Sequence, residues 1–135
     1  MNYWTKISFV VFALGISIIT WVQINNLTRT SSAPVPVIQK LYFEGTIGGK
    51  HAMSISIDQV GRNITGTVIN THREIRKLKG SISEDKTFLF SEYLKDQVTG
   101  TFEGKILSNG NMRGSWSAPP GVKRYPFYLN RKQRI

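Results

Sequence analysis

One short pattern occurs five times in this chain and limits the folds open to it. The pattern is an apolar residue, any residue, Gly, Thr or Ser, and a second apolar residue; its copies are Phe43–Ile47, Ile64–Val68, Leu78–Ile82, Val98–Phe102 and Met112–Trp116. Because side chains alternate between the faces of a strand, both apolar residues and the glycine of each copy should share one face. A glycine on the inward face leaves room for a large neighbour or lets the strand bend. The pattern therefore predicts structural glycines at Gly45, Gly66, Gly80, Gly100 and Gly114.

The chain from residue 41 onward alternates apolar and polar residues, and no stretch supports a helix of ordinary length. Turn residues such as Asn109-Gly110 separate the alternating segments. Short strands joined by short turns indicate an antiparallel meander, and hence a barrel or a sandwich. The predicted strands are 41–47, 52–58, 63–71, 75–83, 87–94, 97–107, 111–117 and 124–130.

An internal repeat favours the barrel. A shift of 34 residues superposes 64–68 on 98–102 and 78–82 on 112–116. The repeated unit is one strand with bulky residues followed by two glycine strands, and large side chains facing small ones fill a small barrel. Closure also removes the sheet edges. Pro126 cannot donate to a strand ladder, so a weak seam is expected between the first and last strands. The predicted fold class is all-β, an antiparallel meander of about eight strands forming a small barrel.

The Thr-Gly-Thr strands at 65–67 and 99–101, with Gly114-Ser115-Trp116, resemble the strands of avidin-like and lipocalin-like eight-stranded barrels. They also resemble small exported bacterial β proteins without an assigned activity. The resemblance covers residues 41–130 and implies a barrel. Avidin-type sites need several tryptophans, whereas this region contains only Trp116, so the resemblance implies no particular binding residue.

The N-terminal segment, residues 1–24, is predicted to be a membrane anchor or a signal segment. Residues 7–22 carry no charge, Lys6 precedes them, and no Ala-x-Ala-like cleavage site follows closely. Trp4 and Trp21 are separated by roughly 26 Å in a helix, close to the thickness of a bilayer, and aromatic residues favour its two interfaces. An uncleaved anchor contacting the membrane through residues 4–22 is therefore favoured over a cleaved signal.

The remaining chain divides into a Ser/Thr/Pro linker at 25–40, the β-barrel domain at 41–130 and a basic tail at 131–135. An anchor predicts a single-pass protein of the cell membrane with its C-terminal domain outside the cytoplasm, periplasmic in a Gram-negative cell. Signal cleavage would instead give a secreted protein.

The formal net charge of +10 favours anionic partners such as an acidic protein or an envelope polymer, although a basic surface can also serve solubility alone. Arg73, Arg76 and Lys77 form the cluster expected to contact such a partner. Nucleic acid is disfavoured as a partner, because an exported domain would not meet it.

The residues available for catalysis are few. The chain has no cysteine, and its two histidines, His51 and His72, lie in or beside predicted turns. No histidine or carboxylate spacing indicates a metal site. The sequence therefore predicts a protein that is not an enzyme and has no cofactor, no metal and no catalytic residue.

Glu92 is the most suggestive acidic residue. It follows Phe88 and Phe90 on one face of a predicted strand, and an inward carboxylate needs a partner or a raised pKa. On this interpretation Glu92, Phe88, Phe90 and Trp116 are candidate ligand contacts. The alternative places Leu89, Ser91 and Tyr93 on the inner face and Glu92 in solvent.

Together these features predict an exported, membrane-tethered barrel that binds a protein partner or a small ligand in the cell envelope. The alternative is an inhibitor or immunity-type protein that neutralises an envelope enzyme or toxin. A ligand carrier requires a cavity of a few hundred Å³, about the lower end for small-molecule sites.

Overall fold

The computed structural model describes residues 33–134. The secondary structure consists of strands: β1 (Gln39–Ile47), β2 (His51–Val60), β3 (Asn63–Ile69), β4 (Ile75–Ile82), β5 (Thr87–Leu94), β6 (Gln97–Ile106), β7 (Met112–Ser117) and β8 (Arg124–Lys132). Each strand coincides with a predicted one to within two residues at either end. The barrel begins slightly before the predicted boundary at residue 41 and takes in the first two residues of the predicted tail.

The eight strands form one closed antiparallel barrel in the order β1-β2-β3-β4-β5-β6-β7-β8. The predicted all-β meander and its closure into a barrel are therefore confirmed. The architecture is consistent with the eight-stranded barrels that the glycine strands resemble. A sandwich is excluded, since every strand pairs with both of its sequence neighbours around the ring.

The seam between β1 and β8 is continuous. Residues 42–47 pair with residues 127–132, and Pro126 lies one position outside this pairing. The carbonyl oxygen of Pro126 accepts a hydrogen bond of 2.7 Å from the backbone N–H of Gly48, the first residue after β1. The missing N–H of Pro126 therefore leaves no gap in the ladder, and the structure gives no sign of the expected weakness.

Apolar side chains fill the middle of the barrel. The largest that are fully buried are Phe43, Phe90, Phe102, Ile55, Ile57, Leu78, Met112 and Leu129. Phe88 and Phe90 stack with ring centroids 4.7 Å apart, and Phe102 meets Phe127 edge-on at 5.6 Å. Such a centre has the close packing of an ordinary protein core, so open space inside the barrel is confined to its ends.

Inner-face glycines allow the strands to approach more closely than other residues would permit. A Cβ placed on Gly80 would lie 2.0 Å from the carbonyl oxygen of Leu89 on β5, which is far inside contact distance. Gly104 shows the same close approach, 2.1 Å to the carbonyl oxygen of Arg113 on β7. Gly104 is absent from the five-fold pattern because Lys105 follows it in place of Thr or Ser.

A β-bulge at the β5–β6 pair alters one copy of the pattern. Glu92 pairs with Gly100, but its neighbour Tyr93 pairs with Val98, so Thr99 is the extra residue on β6. The expectation that Val98 shares the inner face with Gly100 is therefore wrong. Val98 is 45 % exposed, whereas Thr99 is partly buried and turned toward the carboxylate of Glu92.

The barrel has two different ends. One end carries the β1–β2, β3–β4, β5–β6 and β7–β8 connections, and we call it the loop end. The other carries the β2–β3, β4–β5 and β6–β7 connections together with the start of β1 and the end of β8, and we call it the terminal end.

The predicted anchor at 1–24 and the first half of the predicted linker, residues 25–32, lie outside the described residues. Within residues 33–134 no helix is long and apolar enough to cross a membrane.

Candidate functional site

A cavity of about 240 Å³ opens at the loop end of the barrel. Its wall combines apolar and polar side chains from seven strands, β1 to β7, and the β3–β4 loop: Ile47, Met53, Val68, Asn70, Arg76, Glu92, Thr99, Phe102 and Trp116. The packed centre forms its floor, since Phe102 belongs to the core as well as to the cavity wall. This places a concave, mainly apolar surface beside a small number of polar groups, the usual composition of a small-molecule site.

Glu92 supplies the carboxylate of this site. Strand alternation places it on the inner face after Phe88 and Phe90, and its exposed fraction is 6 %. The hydroxyl of Thr99 donates a hydrogen bond of 2.8 Å to Oε1 of Glu92, and the bulge is what turns Thr99 inward. The inward interpretation of Glu92 therefore describes its position, and the solvated alternative does not.

Arg76 stabilises the buried carboxylate. Its Nη1 lies 3.6 Å from Oε1 of Glu92, and its Nη2 donates a hydrogen bond of 2.8 Å to Oε2 of Glu74. The guanidinium thus bridges one carboxylate inside the barrel and one on the rim. A buried carboxylate without such a partner would be strongly unfavourable, so Arg76 makes the inward position of Glu92 tolerable.

The β3–β4 loop positions the rim carboxylate. The side-chain oxygen of Asn70 accepts hydrogen bonds from the backbone N–H groups of His72 (3.0 Å) and Glu74 (3.1 Å), which fixes the turn. The hydrogen bond from Arg76, together with a second from Asn70, holds the pKa of the Glu74 carboxyl below its ordinary value of 4.5. Glu74 is therefore ionised whenever the pH is near neutral.

Two hydrogen-bond donors of the site are buried without an acceptor among the described residues. They are Nε of Arg76 and Nε1 of Trp116, and each exposes less than 1 Å². A buried donor without a partner costs about 1–3 kcal/mol. Most buried polar groups in native proteins have a hydrogen-bond partner. Two buried donors without an acceptor, both on side chains that line one cavity, are therefore consistent with a site in which a bound molecule supplies the acceptor.

The aromatic residues of the sequence prediction separate into two groups. Trp116 lines the cavity with Glu92, and its ring centroid lies 6.4 Å from that of Phe102. Phe88 and Phe90 lie in the core and do not line this cavity. The structure thus brings together two of the four candidate ligand contacts.

The predicted basic cluster also separates. Lys77 is exposed and points outward, and Arg73 is exposed in the β3–β4 loop with a positive φ of 58°. Arg76 points inward and pairs with two carboxylates, so it is not part of an open basic surface.

Sequence reasoning missed Arg76 and Thr99 as members of the site. Arg76 shares the inner face with Leu78, Gly80 and Ile82, so strand alternation alone could have placed it inward. It was instead interpreted as an exposed cation because Arg73 and Lys77 lie beside it in the sequence. No signal identifies Thr99, because the bulge reverses the alternation at that residue.

No group of three or more His, Cys, Asp or Glu side chains within residues 33–134 is arranged to hold a metal ion. Comparison with known proteins gives no relative to guide the interpretation: no known family matches the chain, and no curated protein sequence matches it.

Proposed function

We propose that the barrel is a binding module whose loop-end cavity accommodates a small organic ligand. The observation that carries this proposal is the combination of a 240 Å³ cavity with a buried Arg76–Glu92 pair in its wall. If these residues served stability alone, apolar side chains filling the cavity would stabilise the barrel more, because well-packed hydrophobic residues often stabilise a protein at least as much as a buried ion pair of similar volume.

We propose a binding role in preference to catalysis. The hydroxyl of Thr99 donates to Oε1 of Glu92, and the same oxygen lies 3.6 Å from Nη1 of Arg76, so this carboxylate is already engaged by two partners instead of being a free base. The groups of the site are suited to recognising a ligand by shape and hydrogen bonding.

Filling the cavity tests this function. Small aromatic and aliphatic compounds would be screened against the full-length chain by their effect on the unfolding temperature. Val68 is buried in the cavity wall, so Val68→Phe should remove the shifts that the wild-type protein shows. Val60→Phe is the matched control, because Val60 is exposed at the terminal end. Absence of any ligand-induced shift in the wild type, or equal shifts in Val68→Phe, would disprove the proposal.

The proposed location is the cell envelope, with residues 4–22 as a membrane tether. Fractionation of a C-terminally tagged chain, followed by mass measurement of the mature protein, tests this part separately. Recovery of the full-length chain in the membrane fraction is the expected result. A soluble mature form lacking about the first thirty residues would establish the cleaved, secreted alternative.

Inhibition of an envelope enzyme or toxin is the second candidate function. The supporting observation is an exposed apolar group on the outer surface near the loop end, where Ile69 pairs with Ile75 and the latter is 63 % exposed. Exposed apolar surface of this kind is common at protein-binding sites. An inhibitor should suppress the activity of the enzyme that it captures, and Ile75→Lys should abolish both capture and inhibition.

A further inference from the structure

We infer that the ligand of the loop-end cavity is a small neutral molecule with an apolar body and a hydrogen-bond-accepting oxygen, such as the carbonyl of a ketone or an amide. This inference rests on the proposed binding function and specifies the chemistry that the site selects. It follows from the size of the cavity, the charge balance of its wall and the two donors without acceptors.

Size limits the apolar body. The volume of about 240 Å³ lies below the range of roughly 300–1,000 Å³ typical of sites for drug-sized ligands. The apolar wall consists of Ile47, Met53, Val68 and the rings of Phe102 and Trp116. A single ring or a short branched chain fits this space, whereas a long fatty acid would have to displace the packed core.

Charge balance argues against a charged ligand. The charged residues of the cavity wall are Arg76 and Glu92, and their formal charges of +1 and −1 cancel. The guanidinium of Arg76 also pairs with Glu74, which lies outside the wall. An anionic ligand would therefore have to compete with two carboxylates for the one cation of the wall. A cationic ligand would compete with Arg76 for Glu92, where Thr99 already donates to the same oxygen.

The unpaired donors require an acceptor. Nε of Arg76 and Nε1 of Trp116 each carry one N–H, and both side chains line the cavity. Each nitrogen exposes less than 1 Å² in the structure, so our inference requires that the guanidinium or the indole ring rotate when a ligand oxygen binds to it. That rotation replaces an unpaired buried N–H with a hydrogen bond, which gives a neutral acceptor an advantage over a purely apolar molecule of the same shape.

A series of one-ring probes of similar size tests the inference: acetophenone, ethylbenzene, benzoate and benzylamine. Binding to the full-length chain would be measured at pH 7 through the indole ¹⁵N–H signal of Trp116. The chain contains three tryptophans, and the signal lost in Trp116→Phe identifies the one in the cavity. Acetophenone should bind about tenfold more tightly than each of the other probes and should shift the Trp116 signal.

Trp116→Phe provides the matched control because it retains a ring but removes the N–H. It should weaken acetophenone binding about tenfold more than it weakens ethylbenzene binding, because both probes lose contact with the larger ring but only acetophenone loses a hydrogen bond. Tightest binding of benzoate would show an anion site, and tightest binding of benzylamine would show a cation site; either result overturns the inference. Equal binding of all four probes, abolished by Val68→Phe, would overturn this ligand class but leave the proposed function standing. Absence of binding by every probe would overturn the inference.

Discussion

The indole of Trp116 occupies the space that a side chain on Gly100 would need. A Cβ on Gly100 would lie 2.1 Å from Nε1 and 2.6 Å from Cε2 of that ring. Gly100 stands opposite Glu92 on β5, and both Glu92 and Trp116 line the loop-end cavity. The glycine of the bulged copy is therefore a determinant of the site in addition to being a packing residue.

Substitution of Gly100 should disturb the tryptophan. We expect Gly100→Ala to lower the free energy of unfolding by about 1–3 kcal/mol, because the new methyl group overpacks a filled space. Chemical denaturation measures the change. In a Trp116→Leu background the same substitution should cost less, since the ring that it strikes is gone. An equal cost in both backgrounds would show that the strain lies elsewhere.

Because of the bulge, we expect substitution of Thr99 to destabilise the fold and substitution of the adjacent Val98 to have little effect on stability. Thr99→Val removes the hydroxyl that donates to Glu92 and should destabilise the fold by about 1–3 kcal/mol. Val98→Thr should change stability by less than about 0.5 kcal/mol, because Val98 is 45 % exposed on the outer face. Denaturation of the two variants side by side tests the register. A larger cost at Val98 would mean that the strand follows the regular alternation after all.

Removal of the buried carboxylate of Glu92 should lower the free energy of unfolding more than removal of an exposed carboxylate does. Glu92→Ala leaves Arg76 partly buried with only Glu74 as a partner, and we expect a loss of about 2–3 kcal/mol. Glu92→Gln should lose less stability than Glu92→Ala, since the amide oxygen of the glutamine can still accept the hydrogen bond from the Thr99 hydroxyl. Glu103→Gln is the control: it breaks an exposed ion pair with Arg124, which contributes at most about 1 kcal/mol. Similar losses in Glu92→Ala and the control would argue against a buried role for Glu92.

The rim carboxylate predicts a pH dependence of stability. Because Arg76 and Asn70 hold the pKa of Glu74 below 4.5 in the folded protein, the folded state binds fewer protons than the unfolded state in acid. The stabilisation is fully present above pH 4.5 and is lost as the pH falls through the folded-state pKa. Denaturation between pH 7 and pH 3 should therefore show a steeper loss for the wild type than for Glu74→Gln. Parallel curves would show that Glu74 makes no net contribution.

Most of the fold follows from alternation, which the sequence displays directly. Ile55 and Ile57 indicate the inner face because each is flanked by polar neighbours, and the inner position of Glu92 follows from the same alternation. The rule fails where the backbone departs from regular pleating. A bulge is set by how two paired strands coil around a barrel corner, so neither the inward turn of Thr99 nor the exposure of Val98 is encoded locally.

The composition of the site was harder to predict than the fold. Arg76 lies in a run of cations, and only the tertiary structure shows which one finds a carboxylate inside the barrel. Pro126 illustrates the converse case. Proline in a strand suggests an edge, but its carbonyl continues the seam by accepting from Gly48, a contact between residues 78 positions apart that no local pattern indicates.

The loop-end cavity lies at the opposite end of the barrel from both the start of β1 and the end of β8. Whatever is joined to the barrel through either end of the chain is attached behind the cavity, and its opening faces away from the attachment point. On the proposed binding function, the barrel would act as a directional receptor, which can be fixed to a support by either terminus while the cavity stays open to the surrounding solution.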